Sequence, residues 1–364
     1  MFKIIKKSKI SQARLGKIIT KRGVLSTPFF MPIATRGAIK NLSPQDLKDL
    51  KAEIILSNTY HLFLKPGLKI IKHSKGLNNF IGWDKSILTD SGGYQVFSLA
   101  KKRKIKQDGV EFQSEISGEK VFLTPEKAIK IQRIIDSDLM MVLDECLEYP
   151  VDYKKAAISV ERTTKWAIKS QKEYLKKKNG QLLFGIVQGS IYFDLRKKSV
   201  QDLVKQNFDG YAIGGIFVGE PVKKSYFIIK KTAEILPFKK PRYLMGAGKP
   251  EQILKSVRLG VDMFDCVIPT RNARHGLLYT NLSLKNSKLS YKKIHITNAK
   301  YKNSILPLDK KCACYTCQNF SQSYLRHLFA INENLGQRLA TIHNLAFYLN
   351  LMKEIRNQIK IGKL

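Results

Sequence analysis

Apolar residues in this chain gather into short, nearly uninterrupted runs that end in polar residues or glycine, with helix-like stretches between them. Eight such runs stand out, at 28–34, 53–59, 87–91, 139–145, 182–189, 210–215, 242–248 and 261–270. A strand buried on both faces has no reason to alternate, so runs of this kind predict parallel strands covered by helices. The intervening segments carry helix signals. Ser43-Pro44-Gln45-Asp46 combines a capping residue with proline at the first helical position. Thr124-Pro125-Glu126 repeats the pattern, with Ala128, Ile131 and Ile135 on one face. Segments 152–178, 192–207, 221–236 and 250–259 supply four further helices.

Strands alternating with helices eight times predict an α/β fold, a (β/α)8 TIM barrel over residues 1–276, with a doubly wound open sheet as the alternative. Segment 100–123 breaks the rhythm and reads as a hairpin inserted after the third strand, with Val110 and Phe112 on one arm and Val121 and Leu123 on the other. Residues 277–345 lack the repeating unit, hold a cysteine cluster and are expected to form a zinc-binding subdomain. Residues 346–364 are expected to form a C-terminal helix packed on the barrel.

A barrel makes a sharp demand on its polar residues, because its chemistry sits at the C-terminal ends of the strands. The residues there are Asn58, Asp90, Asp144, Gln188, Gly214, Gly215, Met245, Gly246 and Asp265. Asp265 lies in an apolar run that Pro269 ends, with a basic loop holding Arg271, Arg274 and His275 expected beyond it. A carboxylate in such a run is costly unless paired or used. Asp90 runs into Ser91-Gly92-Gly93-Tyr94, a tight turn suited to an anion or a flat ligand. Two carboxylates at strand ends can flank a glycosidic carbon, one as nucleophile and one as acid/base. Asp144 and Gln188 suit a purine edge, Gly214-Gly215 would admit backbone amides to the same base, and Tyr94 can stack on it. Glu220 reads as a structural residue paired with a lysine.

Charge sharpens the choice of partner. The 364 residues carry 65 Lys and Arg against 29 Asp and Glu, a formal +36, which favours nucleic acid although lysine bias alone explains part of it. Arg271, Arg274 and Lys249 are the basic residues placed to meet phosphates. Of five cysteines, Cys312, Cys314 and Cys317 cluster as C-x-C-x-x-C, a spacing for tetrahedral metal ligation that needs a fourth ligand. His327 and His343 both lie downstream, and spacing does not choose between them. The absence of a disulfide framework, of a signal peptide and of an apolar stretch of about 20 residues leads us to expect a soluble cytoplasmic protein with no membrane partner.

Taken together, Asp90-Ser91-Gly92-Gly93-Tyr94-Gln95, Asp144-Glu145-Cys146, the glycine-rich stretch from Gly214 to Glu220, Met245-Gly246-Ala247-Gly248-Lys249-Pro250 and the stretch from Asp265 to Arg274 resemble the bacterial tRNA-guanine transglycosylases (queuine tRNA-ribosyltransferases). So does the cysteine cluster followed, after 25 intervening residues, by His343. The likeness runs from Gly16 to the final helix. It implies exchange of the wobble guanine of G-U-N anticodon tRNAs for a 7-deazaguanine base, a step in queuosine biosynthesis. By that resemblance Asp265 attacks the ribose, Asp90 is general acid/base, and Asp144, Gln188, Gly214, Gly215 and the Ile216 backbone read the base. Tyr94 and Met245 would sandwich it. Lys249, Arg271 and Arg274 would contact RNA, and Cys312, Cys314, Cys317 and His343 would hold one structural Zn2+, usually in a homodimer. Val218 and Cys146 resemble the bacterial pocket, which favours 7-aminomethyl-7-deazaguanine over queuine. His275, where asparagine is commoner, and Ile33-Ala34-Thr35-Arg36-Gly37 depart from the family pattern. A non-catalytic tRNA-binding subunit would be expected to lack one of the two carboxylates, and a zinc-dependent hydrolase would need an open metal position.

Overall fold

In a computed structural model, which describes residues 2–93, 103–114, 116 and 118–364, a three-stranded antiparallel sheet comes first: β1 (Phe2–Lys7), β2 (Arg14–Thr20) and β3 (Gly23–Thr27). The eight predicted runs then become eight parallel strands: β4 (Phe29–Met31), β5 (Ile54–Ser57), β6 (Ser86–Thr89), β10 (Leu139–Met141), β11 (Leu182–Val187), β12 (Gly210–Ile213), β13 (Arg242–Leu244) and β14 (Met263–Asp265). They pair in chain order, β14 pairs with β4, and an Ile33–Leu56 bridge closes the ring, so the open-sheet alternative falls away. β5, β6 and β12 are buried at every position, which is why their residues do not alternate.

The helices follow their sequence signals. Ser43 caps Pro44–Asp49 in a capping box, and Thr124 caps Pro125–Ile135. Tyr153–Lys176, Phe193–Val204, Val222–Ile235 and Pro250–Arg258 are the other anticipated helices. Three short helical pieces between β5 and β6, at Thr59–Leu62, Leu68–His73 and Leu77–Ile81, lacked a readable period.

Two expectations are corrected. The insertion after β6 is a three-stranded sheet of β7 (Arg103–Lys106), β8 (Gly109–Gln113) and β9 (Lys120–Leu123), not a hairpin. The foreseen arms are β8 and β9; β7 is fully exposed and basic, so it carries no apolar pattern. The basic loop after Asp265 is instead a helix, Ile268–Arg274, with Pro269 in its first turn. Proline there starts a helix as readily as it ends a strand.

Beyond the barrel, β15 (Leu277–Lys285) and β16 (Lys288–His295) form an antiparallel hairpin. The last long helix, Asn334–Lys360, is continuous across position 346, with no proline to break it, so a separate helix does not begin there. It binds the barrel at three points. Asn344 donates to the Pro269 and Leu277 carbonyls at 3.0 Å, Tyr348 to Gly248 O at 2.6 Å, and Arg356 to Pro28 O at 2.8 Å. No helix among the described residues is long and apolar enough to cross a membrane.

Candidate active site and metal centre

Because all eight strands are parallel, their C-terminal ends share one face of the barrel. Asp90, Asp144, Gln188, Gly214, Met245 and Asp265 lie there, at or just beyond the ends of β6, β10, β11, β12, β13 and β14.

Asp265 is buried and turns Oδ1 into a cradle, accepting from the Tyr243 hydroxyl at 2.6 Å and the Gly246 amide at 2.9 Å. Burial raises its carboxyl above the usual range, and these two donors oppose the rise by favouring the anion. Asp90 is half-buried, and Asn58 Nδ2 donates to its Oδ2 while the Thr59 and Gly92 amides donate to Oδ1 at 3.0 and 3.1 Å. Burial pushes Asp90 up to about 7, and the charges of Asp265 and Asp144 add to the rise. One barrel mouth therefore holds two carboxyl groups, each raised by burial and each met by hydrogen-bond donors, with Asp90 lifted to about 7. The Gly92 and Gly93 amides, expected to be free for a ligand, are engaged within the turn by Asp90 and Ser91 Oγ.

Asp144 Oδ2 accepts from Gln188 Nε2 at 2.7 Å, and burial lifts its carboxyl to about 6. The neighbouring Glu145 does not share this pocket. Its side chain pairs with Arg162 on the helix Tyr153–Lys176, while its charge still adds to the rise of Asp144. Gly214 and Gly215 are required by close approach. A Cβ at either position would lie 2.6 Å from a Gln188 amide atom, and Gly215 also has φ +62°. Ile216 is buried and Met245 half-buried beside these strand ends. Tyr94 lies outside the described residues.

Glu220 corrects its expectation. No lysine pairs with it among the described residues. Instead it accepts from the Phe217 and Val218 amides at 2.7 and 3.0 Å and from Ser225 Oγ at 2.6 Å, folding the loop after β12 onto the next helix. Lys249 and Arg271 are exposed and Arg274 half-buried, the arginines one turn apart on the helix after Asp265. Among the described residues none of the three forms an ion pair.

The metal-binding donors converge. The Sγ atoms of Cys312, Cys314 and Cys317 and a ring nitrogen of His343 all lie within 4.8 Å of one another, and all four residues are buried. His343 Nε2 sits 2.8 Å from the Tyr279 carbonyl, to which it donates, so Nδ1 is the nitrogen presented to the thiols. His327 is exposed and lies outside the group, which resolves the choice that spacing left open. Four such donors can hold a metal ion without leaving an open position.

Two residues escaped the sequence reading. Tyr243 drew no notice among the core aromatics, yet it precedes Met245 by two positions in one run, and that period was a usable signal. Arg196, inside an amphipathic helix, carried none.

The comparisons agree with this geometry. The family model described as Queuine tRNA-ribosyltransferase matches residues 9–364. A queuine tRNA-ribosyltransferase of Thermoanaerobacter sp. (strain X514) is 51% identical over 363 residues, covering 100% of this chain and 94% of the relative. That of Aquifex aeolicus (strain VF5) is 51% identical over 372 residues, covering 99% and 95%. That of Listeria monocytogenes serotype 4b (strain CLIP80459) is 49% identical over 363 residues, covering 100% and 93%. With its barrel, its strand-end carboxylates and its likeness to these relatives over nearly the whole sequence, the chain belongs to the queuine tRNA-ribosyltransferase family.

Proposed function

We propose that this protein exchanges the wobble guanine of tRNAs with G-U-N anticodons for 7-aminomethyl-7-deazaguanine, a step in queuosine biosynthesis. The observation that carries the chemistry is the pairing, in one barrel mouth, of Asp265 with anion-stabilising donors and Asp90 titrating near 7. Asp265 attacks ribose C1′, the C1′–N9 bond breaks, and the electron pair leaves on guanine N9. Asp90 supplies the proton that the departing base requires. The incoming base then gives its N9 proton to Asp90 and attacks C1′, and the bond from C1′ to the Asp265 oxygen breaks. Two displacements at one carbon retain its configuration. A carboxyl near neutrality suits both directions of proton transfer.

Asp144 and Gln188 read the base edge, with Gly214, Gly215 and the Ile216 backbone alongside, and Tyr94 and Met245 cover its faces. Val218 and Cys146 favour the small aminomethyl substituent over that of queuine. Lys249, Arg271 and Arg274, free of acidic partners, take phosphates. Three thiols and one imidazole suit Zn2+, and a closed shell gives the ion a structural role. On this reading residues 1–276 form the catalytic barrel and 277–345 the zinc-bearing segment, 346–364 pack back on the barrel, and the enzyme works as a cytoplasmic homodimer.

The test is labelled-guanine exchange into an unmodified G-U-N tRNA, with Asp265→Asn beside wild type and a denaturing gel for the covalent adduct. Exchange and adduct in wild type, both lost in the variant, are expected. Exchange that survives the substitution would move the nucleophile elsewhere.

A further inference from the structure

Arg196 is fully buried, and among the described residues no carboxylate forms an ion pair with it, the charge of Glu220 acting only from farther off. An unpaired buried guanidinium is costly, so its donors must be satisfied otherwise. They are spent on backbone carbonyls: Nε on Ser190 O at 2.7 Å, Nη1 on Val187 O at 3.3 Å, and Nη2 on Gly214 O and Gly215 O at 2.9 and 3.3 Å. These carbonyls bracket Gln188 at the end of β11 and form the Gly214-Gly215 turn after β12. Ser190, held at φ +49°, is one of the few non-glycine residues in the left-handed region, and Nε bonds its carbonyl.

In a planar trans peptide the C=O and the next residue's N–H point in opposite directions. Drawing Gly214 O and Gly215 O towards Arg196 therefore turns the Gly215 and Ile216 amides the other way. The Gly215 amide accordingly turns towards Cys146.

We propose that Arg196 is a positioning residue for base specificity, fixing the Gly215 and Ile216 amides as donors towards an acceptor on the purine. The inference rests on the base-exchange reading above. With Asp144 accepting from the N1–H of guanine, the adjoining acceptor is O6, so Arg196 selects 6-oxopurines without touching them.

The experiment compares wild type, Arg196→Met and Arg196→Lys in guanine exchange. It records KM for guanine, Kd for tRNA, and the ratio of inhibition constants for 2-aminopurine, which lacks both O6 and the N1 proton, and guanine. The change in this ratio between wild type and variant reports the amide contact. Loss of amide orientation is expected to raise the guanine KM about tenfold and to shrink the ratio by a similar factor, with tRNA Kd unchanged. Lysine keeps the charge but cannot span four carbonyls, so it is expected to behave like methionine. Should Arg196→Met not fold, Arg196→Lys decides by the same ratio. Folded variants with unaltered ratio and guanine KM, whatever their thermal stability, would overturn the proposal. Failure of wild type to exchange guanine would overturn the functional reading, and this inference with it.

Discussion

The Tyr243 hydroxyl donates to Asp265 Oδ1 at 2.6 Å, joining the end of β14 to the interior of the neighbouring strand β13. Tyr243 is itself buried, and the adjacent carboxylate helps hold its phenol well above the ordinary range, so the hydroxyl stays a donor at working pH. Removing it leaves the Gly246 amide as the only other recorded donor to that carboxylate among the described residues. Tyr243→Phe should therefore raise the Asp265 pKa. The acidic limb of the exchange rate, which follows the nucleophile's ionised fraction, should move to higher pH. A hydrogen bond to a charged group is worth about 1.5–3 kcal/mol, so the rate should fall roughly tenfold or more. A pH–rate profile with an unmoved limb would dissociate the tyrosine from the nucleophile.

Asp90 makes a stability prediction with a definite sign. Its carboxyl titrates at about 7 in the folded chain against an ordinary 3.8, so the folded state holds the proton more tightly. Stability then falls as pH rises between these two values, because the unfolded state ionises first. Asp90→Asn removes that dependence. Relative to wild type, the variant should gain up to about 2 kcal/mol between pH 4 and pH 8, a figure halved for the residue's partial exposure. Denaturant unfolding at both pH values measures it, and a parallel pH profile for the two proteins would refute the assignment.

Metal removal should act on structure. A chelator, or Cys314→Ser, is expected to lower the thermal midpoint and expose the segment around Cys312–Cys317 to protease. His343→Gln should lose bound zinc, measured by atomic absorption, whereas His327→Gln should retain one ion per chain. Equal losses in the two histidine variants would contradict the ligand set.

Salt should reveal the phosphate contacts. The logarithm of tRNA affinity is expected to fall linearly with the logarithm of salt concentration. Arg271→Ala or Lys249→Ala should each lessen that slope by about one. An unchanged slope would place the phosphates away from this rim.

The parallel strands were legible because burial on both faces erases alternation, and their ends could then be scanned for polar residues. What a strand end does depends on which end it is. Asp262 and Asp265 stand three residues apart on one apolar run, and burial alone does not distinguish them, whereas the motif running from Asp265 to Arg274 does. The structure places Asp262 at the N-terminal end, where it accepts from Arg14 at 2.6 and 2.9 Å, a distant residue that no local pattern could nominate. Asp265, at the other end, meets Tyr243 and the barrel mouth. Arg196 was illegible for a related reason, since its partners are backbone carbonyls, which leave no mark in a sequence. The exposed strand β7 and the short helices before β6 were missed because neither buries a regular face.

The long helix Asn334–Lys360 has a consequence for biosynthesis. Arg356 binds the carbonyl of Pro28, just before the first barrel strand, and Tyr348 binds that of Gly248. These contacts join residues separated by 328 and 100 positions. On a ribosome, the opening strand is made long before the helix that braces it. All eight strands are translated while that support is still missing, so the barrel spends its synthesis as an incompletely buttressed ring. Final docking of the helix, which also carries His343, then brings that histidine to Cys312, Cys314 and Cys317 in the same late event that braces the barrel.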